Sequence, residues 1–155
     1  MSGATIRLAR PGEAPLLAAI VEQAYAHYVP AIGRRPAPMD DDYAARIAAG
    51  EAWVLEAEGG LAGLLVLEAR PGHLWLDNIA VDPARQHAGT GRRLMRFVAE
   101  EALRRGLPEI RLLTNALMTR NLDFYRRLGF MELERREEKG FRRVFLAIPA
   151  ARLAA

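Results

Sequence analysis

A glycine turn between an apolar strand and an amphipathic helix constrains this chain more than any other feature. The stretch NIAVDPARQHAGTGRRLMRFVAEEALRRG, residues 78–106, leaves a hydrophobic segment, passes Gly89 and Gly91, and enters a run with apolar residues at helical spacing. The apolar positions of that run are Leu94, Met95, Val98, Ala102 and Leu103. Gly106 suits the left-handed residue after a helix, and Pro108 prevents continuation. The stretch therefore predicts a strand, a turn and a helix.

Short apolar segments on both sides of this unit predict a mixed α/β chain. Alternating or apolar runs bounded by glycine and proline predict strands over 4–10, 51–58, 61–70, 73–82, 109–116, 131–138 and 141–148. Helical spacing predicts helices over 13–29, 40–49, 91–105 and 119–128. Residues 30–39 hold three prolines and a glycine, which predicts a loop. The predicted order is β-α-α-β-β-β-α-β-α-β-β.

Length and composition narrow the class of protein. A chain of 155 residues with 51% hydrophobic and 26% charged residues fits one globular domain, residues 1–155. The absence of cysteine excludes disulfides and a thiol nucleophile, and gives no sign of an oxidising compartment. No run approaches the roughly 20 apolar residues of a membrane span, and none resembles a signal peptide. We therefore expect a cytoplasmic protein without a membrane partner.

Charge and histidine placement bear on partners and metals. The net charge is +3, and arginines are interleaved with acids instead of being gathered in one segment, a pattern that does not favour nucleic acid. His27, His73 and His87 are scattered without ligand spacing, so we expect no metal.

The glycine turn is an expected anion site. The first amides of a helix have no intrahelical acceptor, and the missing side chains of Gly89 and Gly91 let a phosphate approach the backbone of residues 87–92. A tight turn that needs glycine only for steric reasons is the alternative. A P-loop is excluded because Arg92 and Arg93 stand where it needs Lys and Ser or Thr. A dinucleotide fingerprint is excluded because Leu94 replaces its third glycine.

Two motifs carry a resemblance to a known family. The stretch QHAGTG, residues 86–91, resembles the Q/R-x-x-G-x-G/A signature of the Gcn5-related N-acetyltransferase (GNAT) superfamily. The stretch NLDFYRRLGF, residues 121–130, resembles its second signature, an Asn-containing helix with Tyr followed by Leu-Gly-Phe. The element order agrees over essentially the whole chain. The resemblance implies a GNAT-like fold, with a central twisted, mixed, mostly antiparallel sheet flanked by about four helices.

The resemblance also implies acetyl-coenzyme A as the cosubstrate, without a metal. Strands 73–82 and 109–115 would splay apart, leaving a V-shaped cleft for the pantetheine arm, and the turn 86–92 would bind the diphosphate. The implied cofactor-binding residues are Ile79, Ala80, Val81, Gln86, His87, Ala88, Gly89, Thr90, Gly91, Arg92, Asn121 and Tyr125.

The implied reaction is direct attack of an amine on the thioester in a ternary complex, and it needs an acid and a base. Tyr125 is the predicted acid, with aromatic packing on Phe130 as the structural alternative. Asp77 is the predicted base, because a carboxylate in an apolar strand needs a reason. An exposed strand edge or an arginine partner would also explain it.

Several residues are predicted to lie on the acceptor side. Trp75 shares a strand face with Asp77 and is either a substrate wall or ordinary core. Tyr28 precedes the proline-rich loop that would cover the acceptor. The acids Asp40, Asp41 and Asp42 either attract a cationic amine or start the following helix.

These features together predict an N-acetyltransferase that acts on a primary amine, with a small-molecule substrate favoured. One alternative is a coenzyme A-binding sensor or interaction module without turnover. Another is an acetyltransferase that acts on a macromolecule, namely a protein N-terminus, a lysine or aminoacyl-tRNA. The last predicted hairpin has an exposed edge able to pair with a second copy as a homodimer.

Overall fold

The computed structural model describes residues 4–85 and 89–155. These residues contain seven strands, in chain order β1 Thr5–Leu8, β2 Ala52–Ala57, β3 Gly60–Arg70, β4 His73–Val81, β5 Glu109–Asn115, β6 Met131–Glu138 and β7 Phe141–Pro149. They also contain six α-helices, α1 Ala14–Tyr25, α2 Val29–Ile32, α3 Tyr43–Ala48, α4 Thr90–Arg104, α5 Thr119–Leu128 and α6 Ala150–Ala154. Short 3-10 turns cover Ala26–Tyr28, Ala37–Asp40 and Pro83–Arg85.

The strands follow the hydrogen-bonded order β1-β2-β3-β4-β5-β7-β6. Neighbouring strands are antiparallel in the pairs β1–β2, β2–β3, β5–β7 and β6–β7, whereas β4 and β5 run parallel. The predicted class, a mixed α/β chain with a mostly antiparallel sheet, is confirmed. The chain divides into two units, Met1–Leu67 with Asn78–Leu94, and Glu68–Asp77 with Met95–Ala155. The boundaries of the single predicted domain stay a prediction.

The first unit is built on antiparallel hairpin geometry. The strands β2 and β3 are joined by a turn at Glu58 and Gly59, and the φ angles of Gly59 and Gly60, 87° and 135°, suit glycine. Gly63 in β3 lies against β4, where an added Cβ would be 2.9 Å from the carbonyl oxygen of Ala80. The close approach of these two strands therefore requires glycine at this position.

The second unit is built around β5. His73–Trp75 of β4 pair in parallel with Glu109–Arg111 of β5, and β5 pairs with β7 from Glu109 to Asn115. The strand β6 ends the strand order, and its Met131 and Leu133 are exposed. This free edge is the one on which the prediction of a homodimer rests.

Each unit buries its own apolar set. In the first unit the fully buried side chains include Leu17, Val21, Val54, Leu64, Leu65 and Val66. In the second unit they include Met95, Val98, Ala99, Ile110, Leu112, Val144, Leu146 and Ile148. Of the predicted apolar positions of α4, Leu94, Met95, Val98 and Ala102 are buried, whereas Leu103 is 47% exposed. The buried positions of β5 alternate, as its sequence predicted.

Two short helices differ from the prediction. Residues 30–39 were expected to form a loop, but α2 includes Pro30, because proline is tolerated in the first turn of a helix. Gly33 ends α2 in the left-handed conformation, with φ 85°. The helix α6 was also not predicted. It has only 5 residues, too few to show a helical period in the sequence.

Candidate active site

The described part of the glycine turn has the geometry of a helix start. The strand β4 ends at Val81, and α4 begins at Thr90 after Gly89, whose φ of 94° is left-handed. The amide of Arg93 donates to the carbonyl of Gly89 at 2.9 Å, the first bond of the helix. The amides of Thr90, Gly91 and Arg92 therefore precede the hydrogen-bond ladder and have no acceptor within the helix. The predicted residues Gln86, His87 and Ala88 lie outside the described residues.

A buried hydroxyl accompanies these amides. Thr90 is only 3% exposed, and its Oγ1 has no hydrogen-bond partner among the described residues. A buried hydroxyl without a partner costs free energy, so such groups often lie where a ligand binds. The sequence predicted an anion site made by the backbone of the turn. It did not indicate a separate contribution from the Thr90 hydroxyl.

The strand before the turn presents alternate residues. Ile79 and Val81 are partly exposed, whereas Ala80 between them is buried. Alternation places Ile79 and Val81 on one face of β4 and Ala80 on the other. The backbone at Ala80 is the one that Gly63 approaches.

A buried polar network ties α1 and α3 to β4. The hydroxyl of Tyr25 donates to Asn78 Oδ1 at 2.6 Å, and Asn78 Nδ2 donates to the hydroxyl of Tyr43 at 3.1 Å. The Tyr43 hydroxyl in turn donates to the carbonyl oxygen of Pro38 at 2.5 Å. This network was not predicted from the sequence, in which its one signal is a second polar residue, Asn78, beside Asp77 in an apolar strand.

The region after α1 holds the predicted acceptor residue Tyr28. It ends the 3-10 turn Ala26–Tyr28 and is partly exposed, with its ring centroid 4.0 Å from that of His27 and 6.5 Å from that of Tyr25. The structure thus places Tyr28 in an aromatic cluster with His27 and Tyr25.

The acidic run after this region has structural partners. Asp42 caps α3 by accepting from the amide of Ala45 at 3.0 Å. Asp41 pairs with Arg46 at 2.9 Å, and Asp40 pairs with Arg35 at 3.0 Å. Of the two readings left open by the sequence, helix initiation is the one that the contacts of Asp42 match.

In the second unit, Tyr125 occupies the buried side of α5. Its residue is 5% exposed, and its ring packs edge-on against Phe130, with the centroids 5.5 Å apart. The amide of Phe130 donates to the carbonyl of Tyr125 at 3.1 Å, and Gly129 ends the helix with a φ of 108°. Asn121, one helical turn earlier, is partly exposed. The packing on Phe130 that was expected as the structural alternative is present.

Asp77 belongs to a cluster with an indole and a guanidinium. The Nε1 of Trp75 donates to Asp77 Oδ1 at 3.1 Å, and Trp75 is 7% exposed. The guanidinium carbon of Arg70 lies 4.2 Å from the centroid of the Trp75 ring, and Arg70 pairs with Glu68 at 2.8 Å. The pairing of β4 with β5 covers His73–Trp75, and Asp77 lies two residues beyond it. Its orientation is held by the indole.

His73 lies near the same indole, with their ring centroids 6.3 Å apart. Burial lowers the pKa of His73, and the positive charges of Arg111 and Arg70 lower it further. The imidazole is therefore neutral at pH 7 and does not act as a cation beside Trp75.

Two negative findings apply to residues 4–85 and 89–155. No cluster of three or more His, Asp or Glu side chains in this part of the chain is arranged to hold a metal ion. None of the helices described there is both long enough and apolar enough to span a membrane.

Comparisons with known proteins identify the family. A family model described as "Acetyltransferase (GNAT) domain" matches residues 48–132, more than half of the chain. No curated protein sequence matches significantly. Among solved structures, the paia N-acetyltransferase of Thermoplasma acidophilum, in complex with coenzyme A, is 14% identical, with a TM-score of 0.77 over 92% of this chain and 98% of that one.

Two further structures agree with the same fold. The ribosomal-protein-S18-alanine N-acetyltransferase of Escherichia coli is 22% identical, with a TM-score of 0.73 over 95% of this chain and 94% of that one. The putative acetyltransferase yncA of Salmonella typhimurium, with its cofactor acetyl-CoA, is 21% identical, with a TM-score of 0.71 over 96% and 95%. The resemblance suggested by residues 86–91 and 121–130 is confirmed, and this chain belongs to the GNAT family of acetyltransferases.

Proposed function

We propose that this GNAT acetyltransferase transfers the acetyl group of acetyl-coenzyme A to the nitrogen of a primary amine, by direct attack in a ternary complex. The observation that carries the proposal is the start of α4, where the unsatisfied Thr90 hydroxyl lies beside three amides without helical acceptors. Phosphate oxygens fit this donor set, because they accept hydrogen bonds and are favoured by the positive end of the helix dipole.

The remaining cofactor residues follow from the family pattern. The backbone of Ile79, Ala80 and Val81 is proposed to bind the pantetheine arm. Asn121 and Tyr125 are proposed to meet its thioester end, and Gln86, His87 and Ala88 are proposed to complete the diphosphate turn. Bound acetyl-coenzyme A would supply an activated carbonyl and a thiolate leaving group.

The chain's own residues would move the protons. Asp77, directly or through water, would take a proton from the ammonium so that the neutral nitrogen can attack. The new C–N bond forms as the C–S bond breaks, and Tyr125 would give its phenolic proton to the departing sulfur. The nitrogen loses its second proton as the amide forms, and this proton restores the phenol of Tyr125. The net proton released, held by Asp77, then passes to solvent. Asp77 suits the first role because a carboxylate can accept a proton, and the indole of Trp75 holds one of its oxygens in place.

A small-molecule amine is the proposed acceptor, with Tyr28 and Trp75 forming part of its site. A location in the cytoplasm is part of the proposal, since the chain carries no cysteine. Pairing of two copies along β6 also stays a prediction.

Calorimetry with coenzyme A and acetyl-coenzyme A, followed by thiol release across a panel of amines, tests the function. We expect binding of both carriers and release of coenzyme A that depends on an amine. Binding without release from any small amine, peptide or aminoacyl-tRNA would indicate a sensor without turnover. Release with peptides or aminoacyl-tRNA alone would assign a macromolecular acceptor. Absence of binding would refute the proposal.

The base is tested separately by Asp77→Asn. We expect kcat to fall by about 10² or more at pH 7, while the affinity for coenzyme A is unchanged, because the amide cannot accept the proton. A kcat like that of the unmodified enzyme would remove Asp77 from the mechanism.

A further inference from the structure

The side chain of Arg85 is bound to the turn between β2 and β3. Its Nη1 donates to the carbonyl oxygen of Glu58 at 2.8 Å, and its Nη2 donates to that of Gly59 at 2.5 Å. Its Nε lies 3.9 Å from Asp82 Oδ2. The planar guanidinium therefore spans two neighbouring carbonyls of the turn.

Two glycines make room for this contact. A Cβ added at Gly59 or at Gly60 would lie 3.2 Å from Arg85 Nη2, and both residues have positive φ angles. The turn between β2 and β3 thus has a shape that receives the guanidinium. Gly59 and Gly60 therefore allow the hairpin backbone and also leave space for the guanidinium of Arg85.

Arg85 is also fixed through its backbone. Its amide donates to the carbonyl of Asp82 at 2.9 Å, and the amide of Ala84 donates to Asp82 Oδ1 at 3.0 Å. It is the last described residue before the predicted diphosphate turn. On the other side of that turn, Arg93 Nη2 donates to the carbonyl of Ala4 at 2.7 Å. Both residues that flank the turn are thus held by arginine side chains.

We propose that Arg85 is a positioning residue that anchors the end of the segment leading from β4 into the proposed diphosphate site, by binding the β2–β3 turn. This inference rests on the proposed function. The carbonyls of Glu58 and Gly59 already accept from both terminal nitrogens of the guanidinium, so Arg85 acts by holding its own backbone in place and not as a phosphate ligand. Donors held in place before binding lose less freedom when the ligand arrives, and the ligand then binds more tightly.

The test compares ligands with and without the diphosphate. Coenzyme A carries it, whereas pantetheine lacks it, so a fault confined to the turn weakens only the first. For Arg85→Gln we expect the Kd of coenzyme A to rise about tenfold and that of pantetheine, measured by competition calorimetry, to stay the same. Arg142→Gln removes the same charge from an exposed position of β7 and is expected to change neither Kd.

A second variant separates position from charge. Arg85→Lys keeps the positive charge but cannot span both carbonyls, so we expect its Kd for coenzyme A to stay close to that of Arg85→Gln. Full recovery of affinity in Arg85→Lys would overturn the positioning role in favour of simple attraction. An unchanged Kd in Arg85→Gln, or equal losses for coenzyme A and pantetheine, would also overturn it.

The affinity of the unmodified protein for coenzyme A is measured first. If it binds coenzyme A and Arg85→Gln binds equally well, the inference fails and the proposed function stands. If the unmodified protein binds no coenzyme A, the proposed function fails and the inference fails with it.

Discussion

The buried hydroxyl of Thr90 has no partner among the described residues and is proposed to bind the cofactor, and a single substitution separates its effects on folding and on binding. Thr90→Val keeps the shape of the side chain and removes the buried hydroxyl that lacks a partner. We expect the free energy of unfolding to stay the same or rise by about 1 kcal/mol, because an unsatisfied donor is removed. We expect affinity for coenzyme A to fall severalfold. Urea denaturation and calorimetry measure the two effects.

Thr114→Val is the matched control, since Thr114 is also buried but donates to Met118 Sδ at 4.0 Å. Its affinity for coenzyme A should not change. A loss of stability in Thr90→Val with unaltered affinity would show that the hydroxyl has a structural role instead.

A substitution at Tyr125 separates the packing of its ring from its proposed proton transfer in the same way. Tyr125→Phe keeps the ring against Phe130 and removes the proposed acid. We expect kcat to fall by about 10² to 10⁴, with little change in melting temperature, because the thiolate then leaves without a proton from the enzyme. Steady-state kinetics and a thermal melt measure both. A full kcat in Tyr125→Phe would leave Tyr125 as a packing residue alone.

Among the elements, the start of α1 depends on an ion pair. Glu13 accepts from both Arg7 nitrogens, Nη1 at 3.0 Å and Nη2 at 2.8 Å, and from the amide of Arg10 at 2.7 Å. These bonds, chiefly those from Arg7, lower the pKa of Glu13 to about 2. Because the folded pKa lies below the ordinary value of 4.5, the stabilisation is complete above about pH 4.5 and is lost as pH falls toward 2.

Glu13→Gln tests this pH dependence. We expect a loss of about 1–2 kcal/mol in the free energy of unfolding at pH 7, since hydrogen bonds to charged groups are lost. The gap from the unmodified protein should narrow between pH 4.5 and 2. Urea titrations at several pH values measure it, and a gap that is constant with pH would contradict the assignment.

The pairing of β3 with β4 depends on Gly63. Gly63→Ala would place a Cβ 2.9 Å from the carbonyl oxygen of Ala80, and backbone cannot yield as a side chain can. We expect a loss of about 1–3 kcal/mol in the free energy of unfolding and weaker binding of coenzyme A, because Ala80 lies in the strand proposed to bind pantetheine. Denaturation and calorimetry test both. Unchanged values would show that β4 adjusts freely.

For the whole molecule, a ligand that binds only the folded state should stabilise it. At a coenzyme A concentration of about 100 times Kd, the gain is about 2.7 kcal/mol. For a chain of this size, each kcal/mol raises the melting temperature by roughly 2–4 °C. Thermal melts with and without coenzyme A measure the shift, and adenine alone is the control. No shift at saturation would contradict specific binding.

The sequence predicted much of the whole molecule, because most of its information is local. Alternation in 109–116 and helical spacing in 91–105 found β5 and α4, and Gly89 marked the turn between β4 and α4. The features that the sequence did not predict are contacts between residues far apart in the chain and helices too short to show a period. Asn78 is hydrogen-bonded to Tyr25, which lies 53 positions earlier in the chain, and to Tyr43, which lies 35 positions earlier. No local sequence pattern predicts these contacts. The hydrogen bond from Arg85 to the carbonyl oxygen of Gly59 likewise joins residues 26 positions apart.

The contact between Trp75 and Asp77 gives the molecule an optical reporter of its own. The indole N–H touches the carboxylate proposed as the base, and the guanidinium of Arg70 covers the ring. Indole emission responds to nearby charge, so protonation of Asp77 should change the fluorescence intensity. With Trp53→Phe, Trp75 is the sole tryptophan, and a pH titration would follow the ionisation of this carboxylate without an added dye.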